Sequence, residues 1–383
     1  RIFVFCVAII YLLVESAGAG DLLIFLSAAG HLGTGENIFT HSYFGGFYYY
    51  YSVLFALVLK PFWHLPYFFT KFLWLLLNLS AYVHLFYMLA NSKAVVSLND
   101  KHRKFFLWAV FIFSFRFLHE NLHASQITIL ILWTTVYGLL NIDRGLVLKG
   151  SFFLALGINI KLLPVVFLPY LLYRKQFVAF FAVIVIYALL LFLPSLFIGH
   201  NENVVLLQSW LRLINPANTN HLLDVDERSF HGLTTLLSTL LVKNVPDLHA
   251  LDLRRNIADI PVPVLGNVIL VVRLLFAAMT LYFLKWPPFN SARHQWHRAL
   301  EISYLLLVIP LIFPHQQHYA FMFIVPAYAC ALYYLFLKWN HLQKSRKNVL
   351  IVFMAIIYLC ANLRTVLGEF NHLYEHYKIL TYG

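Results

Sequence analysis

The stretch ESAGAGDLLIFLSAAGHLGTGENIF, residues 15–39, decides how the chain is read. It follows an apolar run, Ile2 to Val14, expected to be a true membrane span and not a signal peptide. Asp21 stands where that helix should leave the bilayer, behind a patch of small residues (Ala17, Gly18, Ala19, Gly20) that lets other groups approach closely. Leu22 to Gly33 then has too few apolar residues to cross and reads as an interfacial helix. A carboxylate at a membrane boundary is a functional-site candidate. The plainer alternative is an interfacial Asp that caps the helix following it.

Composition sets the frame outward from there. Hydrophobic residues make up 61% of the 383 and charged residues 11%, with a mean hydropathy of +0.74. Soluble domains carry about 25% charged residues, so the chain reads as an all-α polytopic membrane protein. Little length is left for a soluble domain, and residues 1–383 are expected to form one transmembrane domain. The net charge of +12 suits loops facing an anionic cytoplasmic leaflet. No basic block lies in a segment long enough to fold alone, which argues against nucleic acid as a partner. Cys6, Cys330 and Cys360 all sit in apolar runs and read as small core hydrophobes.

Taken in order, residues 40–66 read as an extracytoplasmic loop with the aromatic cluster Tyr48 to Tyr51 at headgroup level and a second interfacial helix from Val53 to Leu59. Tyr67 to Leu89 spans, and Lys93, Lys101, Arg103 and Lys104 mark a cytoplasmic loop, which places Asp21 on the opposite side. Phe105 to Phe115 returns to a polar turn at 116–126, and Ile127 to Leu140 comes back. Gly150 to Ile160 and Pro164 to Leu172 are each too short to cross upright. With Lys161 and Pro164 at their break, they read as a re-entrant pair. Phe177 to Ile198 crosses outward to a long polar stretch at about 199–260, and four further spans follow. The whole suggests about 9–11 transmembrane helices, with the large extracytoplasmic loops at about 15–66 and 199–260.

Polar residues able to do chemistry gather on one face: Asp21, the 116–126 turn with Arg116, Glu120 and Gln126, the 199–260 loop with Arg228 and His231, and His315 with His318. Repeated halves with midplane sites, as in transporters, are not evident. A one-sided polar face suits an enzyme acting on a membrane-borne substrate. His119-Glu120-His123 matches the HExxH pattern of zinc peptidases, but no third ligand stands out and a plain polar turn is preferred. His315 and His318 project to one face of a helix, where they could bind a metal, hydrogen-bond a phosphate or anchor the helix end. Lys161, a cation placed inside the bilayer, calls for a carboxylate or lipid-phosphate partner.

The ordered set resembles the polytopic GT-C glycosyltransferases, closest to glycosyltransferase family 87, the polyprenol-phosphate-mannose-dependent mannosyltransferases. Asp21 with Phe25, Ala28, Ala29, Leu32, Gly35, Ile38 and Phe39 is similar to the family's D…Y..AA..L..G..IY. YSVLFALVLKPFWHLP (51–66) with Trp74 and Asn78, SQITIL (125–130), KGSFFLALGINIKLLPVVFLPYLLYRK (149–175) and FPHQQHYAF (313–321) follow in the family's order. Three departures stand out. Ser125 replaces a usual Gly, two glutamines separate His315 from His318, and Glu227, Arg228 and Ser229 stand where the family has Asn-Gln-Ser.

The resemblance implies an inverting transferase moving a sugar, mannose by family, from a polyprenyl-phosphate donor to a lipid-linked or glycan acceptor. The expected location is a bacterial inner membrane, with the site on the periplasmic face. Asp21 is the candidate general base, with Glu15 the alternative. His318, His315, Lys161, Arg116 and Gln126 are candidates for the donor phosphate and sugar. Glu120, Arg228, His231 and Tyr48 are candidate sugar or acceptor contacts. The scheme requires no metal and no cofactor. Two competitors remain open: a lipid-linked-sugar carrier or flippase, which would tolerate loss of the Asp21 carboxylate, and the zinc protease, which would need a bound metal and Glu120.

Overall fold

In a computed structural model the chain is helical, without β-strands among the described residues. The structure describes residues 2–44, 46–215, 223, 231–284, 295–313 and 316–383. The candidates His315 and Arg228, with Glu227 and Ser229, lie outside these. Six helical segments are long and apolar enough to cross a membrane: Tyr67–Ala90, Asp100–His123, Phe177–Ile198, Val262–Phe283, His318–Lys338 and Lys344–Thr365. The Val262–Phe283 helix is only 11% buried, and its bare Leu270, Val271, Leu274 and Leu275 are what a lipid-facing surface requires. Shorter apolar helices, Leu22–His31 and Val53–His64 among them, fall at the two segments expected to be interfacial.

The chain folds as two compact units. Among the described residues, the first comprises residues 2–88 and 118–215, and the second residues 89–117, 223–284 and 295–383. In the first unit the Thr128–Asp143 and Val147–Ile160 helices pack backbone to backbone. A Cβ added at Gly138 would lie 2.8 Å from the Gly150 carbonyl oxygen, and one at Gly150 would lie 2.5 Å from that of Gly138. Small residues at such a crossing let dispersion and close backbone approach hold helices together where lipid offers no hydrophobic drive. After Ile160 the helix breaks at Lys161, whose backbone is extended, before a short helical turn at Leu163–Val166 and the Phe167–Tyr173 helix. The expected interruption at Lys161 and Pro164 is therefore present.

One expectation is revised. Residues 116–123 are not a turn: the Asp100–His123 helix runs through them, and only the following residues turn. The polar stretch 199–260 carries helices of its own, His200–Leu213 and Leu233–Leu241. The first of these sets Trp210 inward, its indole N–H donating to the Tyr50 carbonyl at 3.1 Å. Polar residues hid both helices from a hydropathy reading, since each helix needs only one apolar face.

Candidate functional site

The site of the first unit begins with a helix end. Ser125 N–H donates to Leu122 O at 3.0 Å and Gln126 N–H to Asn121 O at 2.8 Å, the paired bonds of a Schellman cap. Such a cap needs a left-handed residue, and Ser125 adopts φ 55°. The cap fixes two things. Its Ala124 carbonyl accepts the backbone N–H of Asp21 at 2.9 Å, and its Gln126 side chain emerges toward the Asp21 carboxylate. Gly20 permits this approach, because a Cβ there would lie 2.5 Å from Ser125 Oγ and 3.2 Å from Ala124 O.

Asp21 precedes the Leu22–His31 helix, yet its side chain makes no capping hydrogen bond. The ordinary-cap alternative therefore fails. Instead Gln126 Nε2 donates to Asp21 Oδ2, while Tyr51 Oη donates to Gln126 Oε1 at 3.0 Å. Trp74 Nε1 holds the cap from beneath through Ser125 O at 2.8 Å. Lys71 Nζ donates to Gly18 O and Ala19 O at 3.0 Å each, tying down the small-residue loop. Phe25 packs edge-on against Tyr51, with centroids 4.7 Å apart, and against Phe55 and Trp74. The carboxylate thus sits at an apolar aromatic wall with one amide donor.

Lys161 approaches from the helix break, its Nζ 5.4 Å from the Tyr51 ring centroid. Ser52 reinforces that break, its Oγ donating to Asn159 Oδ1 at 2.9 Å. Burial pushes the Asp21 carboxyl up to about 6, while the Gln126 hydrogen bond and the Lys161 charge pull it back. A carboxylate with that value is ionised at neutral pH yet basic enough to take a proton in a transition state. Glu15, the alternative base, is engaged by His123 Nδ1 at 3.0 Å.

The peptidase pattern lies on one helix. His119 Nδ1 is 2.7 Å from Tyr11 Oη, His123 turns to Glu15, and among the described residues no third ligand joins them in a metal-holding group. Glu120 is half-buried on the same helix and Tyr48 half-buried in an irregular segment.

The second unit holds a different cluster. His318 Nε2 lies 2.8 and 2.9 Å from the two oxygens of Glu375. His231 Nε2 lies 3.0 Å from Oε2, and Arg364 Nε 3.0 Å from Oε1. The two imidazoles face each other at 3.9 Å between centroids. His231 is fully buried; its backbone N–H donates to Gln316 O at 2.8 Å and its backbone carbonyl accepts from Thr381 Oγ1 at 2.6 Å. Asp247 completes the surroundings, with Lys378 Nζ at 2.9 Å and Arg255 NH1 at 2.5 Å. Burial works to raise Glu375, but its histidine hydrogen bonds and charges outweigh it and hold the carboxyl far below the usual range. Burial takes His231 down to about 4, against the pull of Glu375.

Arg116 belongs to this unit as well. Its NH1 donates to Ala361 O and, at 2.8 Å, to Tyr374 Oη, and the guanidinium packs 5.2 Å from the Tyr374 ring centroid. That environment is one of helix packing. Of the sequence candidates, then, the structure gathers Asp21, Gln126 and Lys161 in one place, and His318 and His231 in another. Glu375 and Tyr51 were missed as site residues. Nothing in the tail NHLYEHYK (371–378) announces a partner for His318.

Fold and first site together define a polytopic membrane protein with a carboxylate, Asp21, held by Gln126 at the start of a short helix. The chain belongs to glycosyltransferase family 87, whose model matches residues 49–310, and is a membrane glycosyltransferase. Asp21, His318 and Glu375 all lie outside the matched residues. No curated protein and no solved structure matches the chain.

Proposed function

We propose that the protein is an inverting glycosyltransferase that moves mannose from a polyprenyl-phosphate-linked donor to a lipid-linked or glycan acceptor, with Asp21 as general base. The observation that carries this reading is the setting of Asp21: a carboxylate freed from helix capping, oriented by Gln126 and raised by burial to about 6. In the proposed step the acceptor hydroxyl gives its proton to Asp21 as its oxygen attacks the anomeric carbon from the face opposite the phosphate, and the C–O bond to phosphate breaks. This parallels the base of inverting glycosidases, which acts on the face opposite the leaving group.

The leaving group departs as a polyprenyl phosphate, already a good anion, so it needs cationic or hydrogen-bonding stabilisation and no general acid. Lys161, whose charge acts on Asp21 in the same unit, is assigned to that role. The reading puts the reaction on the extracytoplasmic face of a bacterial inner membrane, where lipid-linked donors are presented without nucleotides.

The deciding experiment is transfer from radiolabelled polyprenyl-phosphate-mannose into membrane lipids by purified protein, wild type against Asp21→Asn. Label entering a new lipid with wild type and not with the variant is the expected result. Equal transfer by both would remove Asp21 as the base, and transfer by neither with several polyprenyl-phosphate sugars would refute the donor class.

A further inference from the structure

The cluster in the second unit has the makings of a site of its own. His231 is completely buried, with Nε2 3.0 Å from Glu375 Oε2 and no hydrogen-bond partner at Nδ1 among the described residues. Burying two imidazoles against one carboxylate costs stability unless a shared partner holds all three. The nearest polar atom is Glu375 Oε2, which lies 3.0 Å from His231 Nε2 and 2.8 Å from His318 Nε2. One ligand atom from each of His231, His318 and Glu375 falls within 4.8 Å of the others.

We infer that His231, His318 and Glu375 bind a divalent transition-metal ion, zinc by the chemistry of the donors. Two neutral imidazoles and a carboxylate are the three-ligand set of open zinc sites, in which a fourth position is left to water or substrate. With bonds of about 2.0–2.2 Å and tetrahedral angles, ligand atoms stand about 3.3 Å apart. The observed spacings therefore need to open by only a few tenths of an ångström. The second layer is present too: Arg364 occupies the other oxygen of Glu375, fixing the carboxylate's orientation as outer partners of metal ligands do. The neighbouring cations Lys378 and Arg255 are both drawn to Asp247, which limits their repulsion of a bound cation.

The ligand sequence spacing hides the site. His231, His318 and Glu375 are separated by 87 and 57 residues, from subtraction of their positions, and no metal motif spans such gaps. An ion here would offer a Lewis acid to a phosphate oxygen; only that last role rests on the donor reading above, and the binding itself does not.

The test is metal content, measured apart from transfer. Tag-free wild type in detergent is loaded with Zn²⁺, desalted and assayed by mass spectrometry, beside His231→Ala, Glu375→Gln and His41→Ala. About one zinc per chain is expected in wild type, with at least a tenfold loss in His231→Ala and Glu375→Gln. His41→Ala should keep it, which separates the site from the exposed His31, Glu36 and His41 group on the first loop. Zinc retained equally by His231→Ala, or none retained by wild type, overturns the assignment. Co²⁺-loaded wild type decides the matter even where a variant does not fold. A tetrahedral absorption spectrum removed by chelator supports the site, and the absence of that spectrum refutes it.

Discussion

Asp21 and Glu375 are both carboxylates drawn into the protein, and their surroundings push them in opposite directions. Asp21 meets an aromatic wall, a single amide donor and the field of one lysine, and its affinity for a proton rises. Glu375 meets two histidines and an arginine within 3.0 Å, and its affinity for a proton collapses. A carboxylate saturated by donors has no reason to take up a proton in a reaction. One left underserved by its surroundings does. The contrast supports the proposed division of work, with Asp21 as the base and Glu375 as the group that holds its cationic neighbours in place.

The sharpest way to break that comparison is to remove each carboxylate and read rate and stability separately. Asp21→Asn keeps an oxygen for Gln126 and should lower transfer by about a thousandfold, within the range set by general-base catalysis. Its thermal stability should not fall. A carboxyl raised in the folded state has its full stability below its ordinary pKa and loses it as pH rises through about 6, so at pH 7 the charge is a burden the variant lacks. Glu375→Ala should do the reverse to the fold, losing about 3 kcal/mol because His231, His318 and Arg364 are left without their shared acceptor. Melting curves alongside transfer rates check both. An Asp21→Asn protein that is markedly destabilised would make Asp21 a structural group.

A backbone change tests whether the pocket's geometry matters as much as its chemistry. Gly20→Ala should drive its Cβ into Ser125 and cut transfer by about a hundredfold, since a displaced catalytic group loses that much for small misplacement. Adding Ser125→Gly removes the 2.5 Å and 3.0 Å collisions and leaves only the 3.2 Å approach to Ala124 O. The double variant should therefore recover most of the loss, a coupling expected only of touching residues. Independent, additive effects in the four-way comparison would contradict the contact.

The pH profile sharpens the same point with smaller effects. Transfer by wild type should fall on the acid side below about pH 6, where Asp21 becomes protonated. The Gln126 hydrogen bond and the Lys161 charge both lower the Asp21 pKa, so Gln126→Leu and Lys161→Met should move the acid limb upward while reducing the plateau by about tenfold. A limb that stays fixed in both variants would show that another group sets it.

What the sequence made legible follows from the range of the interactions involved. The short helices after Asp21 and Ser52 and the break at Lys161 are local events, set by run length, a capping Ser and a nearby Pro, and they could be read directly. Gln126 could not. Alone at the lip of a helix it carries no signal, and its partners Asp21 and Tyr51 are 105 and 75 residues away. Arg116 misled for a similar reason, since a polar run around it suggested a turn. The groups that let it stay helical and buried, Ala361 O and Tyr374 Oη, come from 245 and 258 residues on. Glu375 is the extreme case, meaningful only beside His318 and His231.

Ser125 offers the finest test, and it is one the chain sets against itself. Two successive helix ends in the first unit close in the same Schellman pattern. After His123 the left-handed position is Ser125 at φ 55°, and after Asp143 it is Gly145 at φ 82°, with Gly145 N–H on Ile142 O at 3.0 Å and Leu146 N–H on Asn141 O at 2.9 Å. Glycine takes that conformation freely, whereas a side chain there costs about 1 kcal/mol. Ser125 Oγ gains little in return, being buried without a hydrogen-bond partner among the described residues. Ser125→Gly should therefore raise stability by about 0.5–1 kcal/mol, while Gly145→Ser lowers it by a similar amount. If the cap positions Asp21 through Ala124 O and Gln126, the relaxed Ser125→Gly variant should hold wild-type transfer rates. A stabilised variant with impaired transfer would mean that the serine side chain, and not the cap's backbone, shapes the pocket.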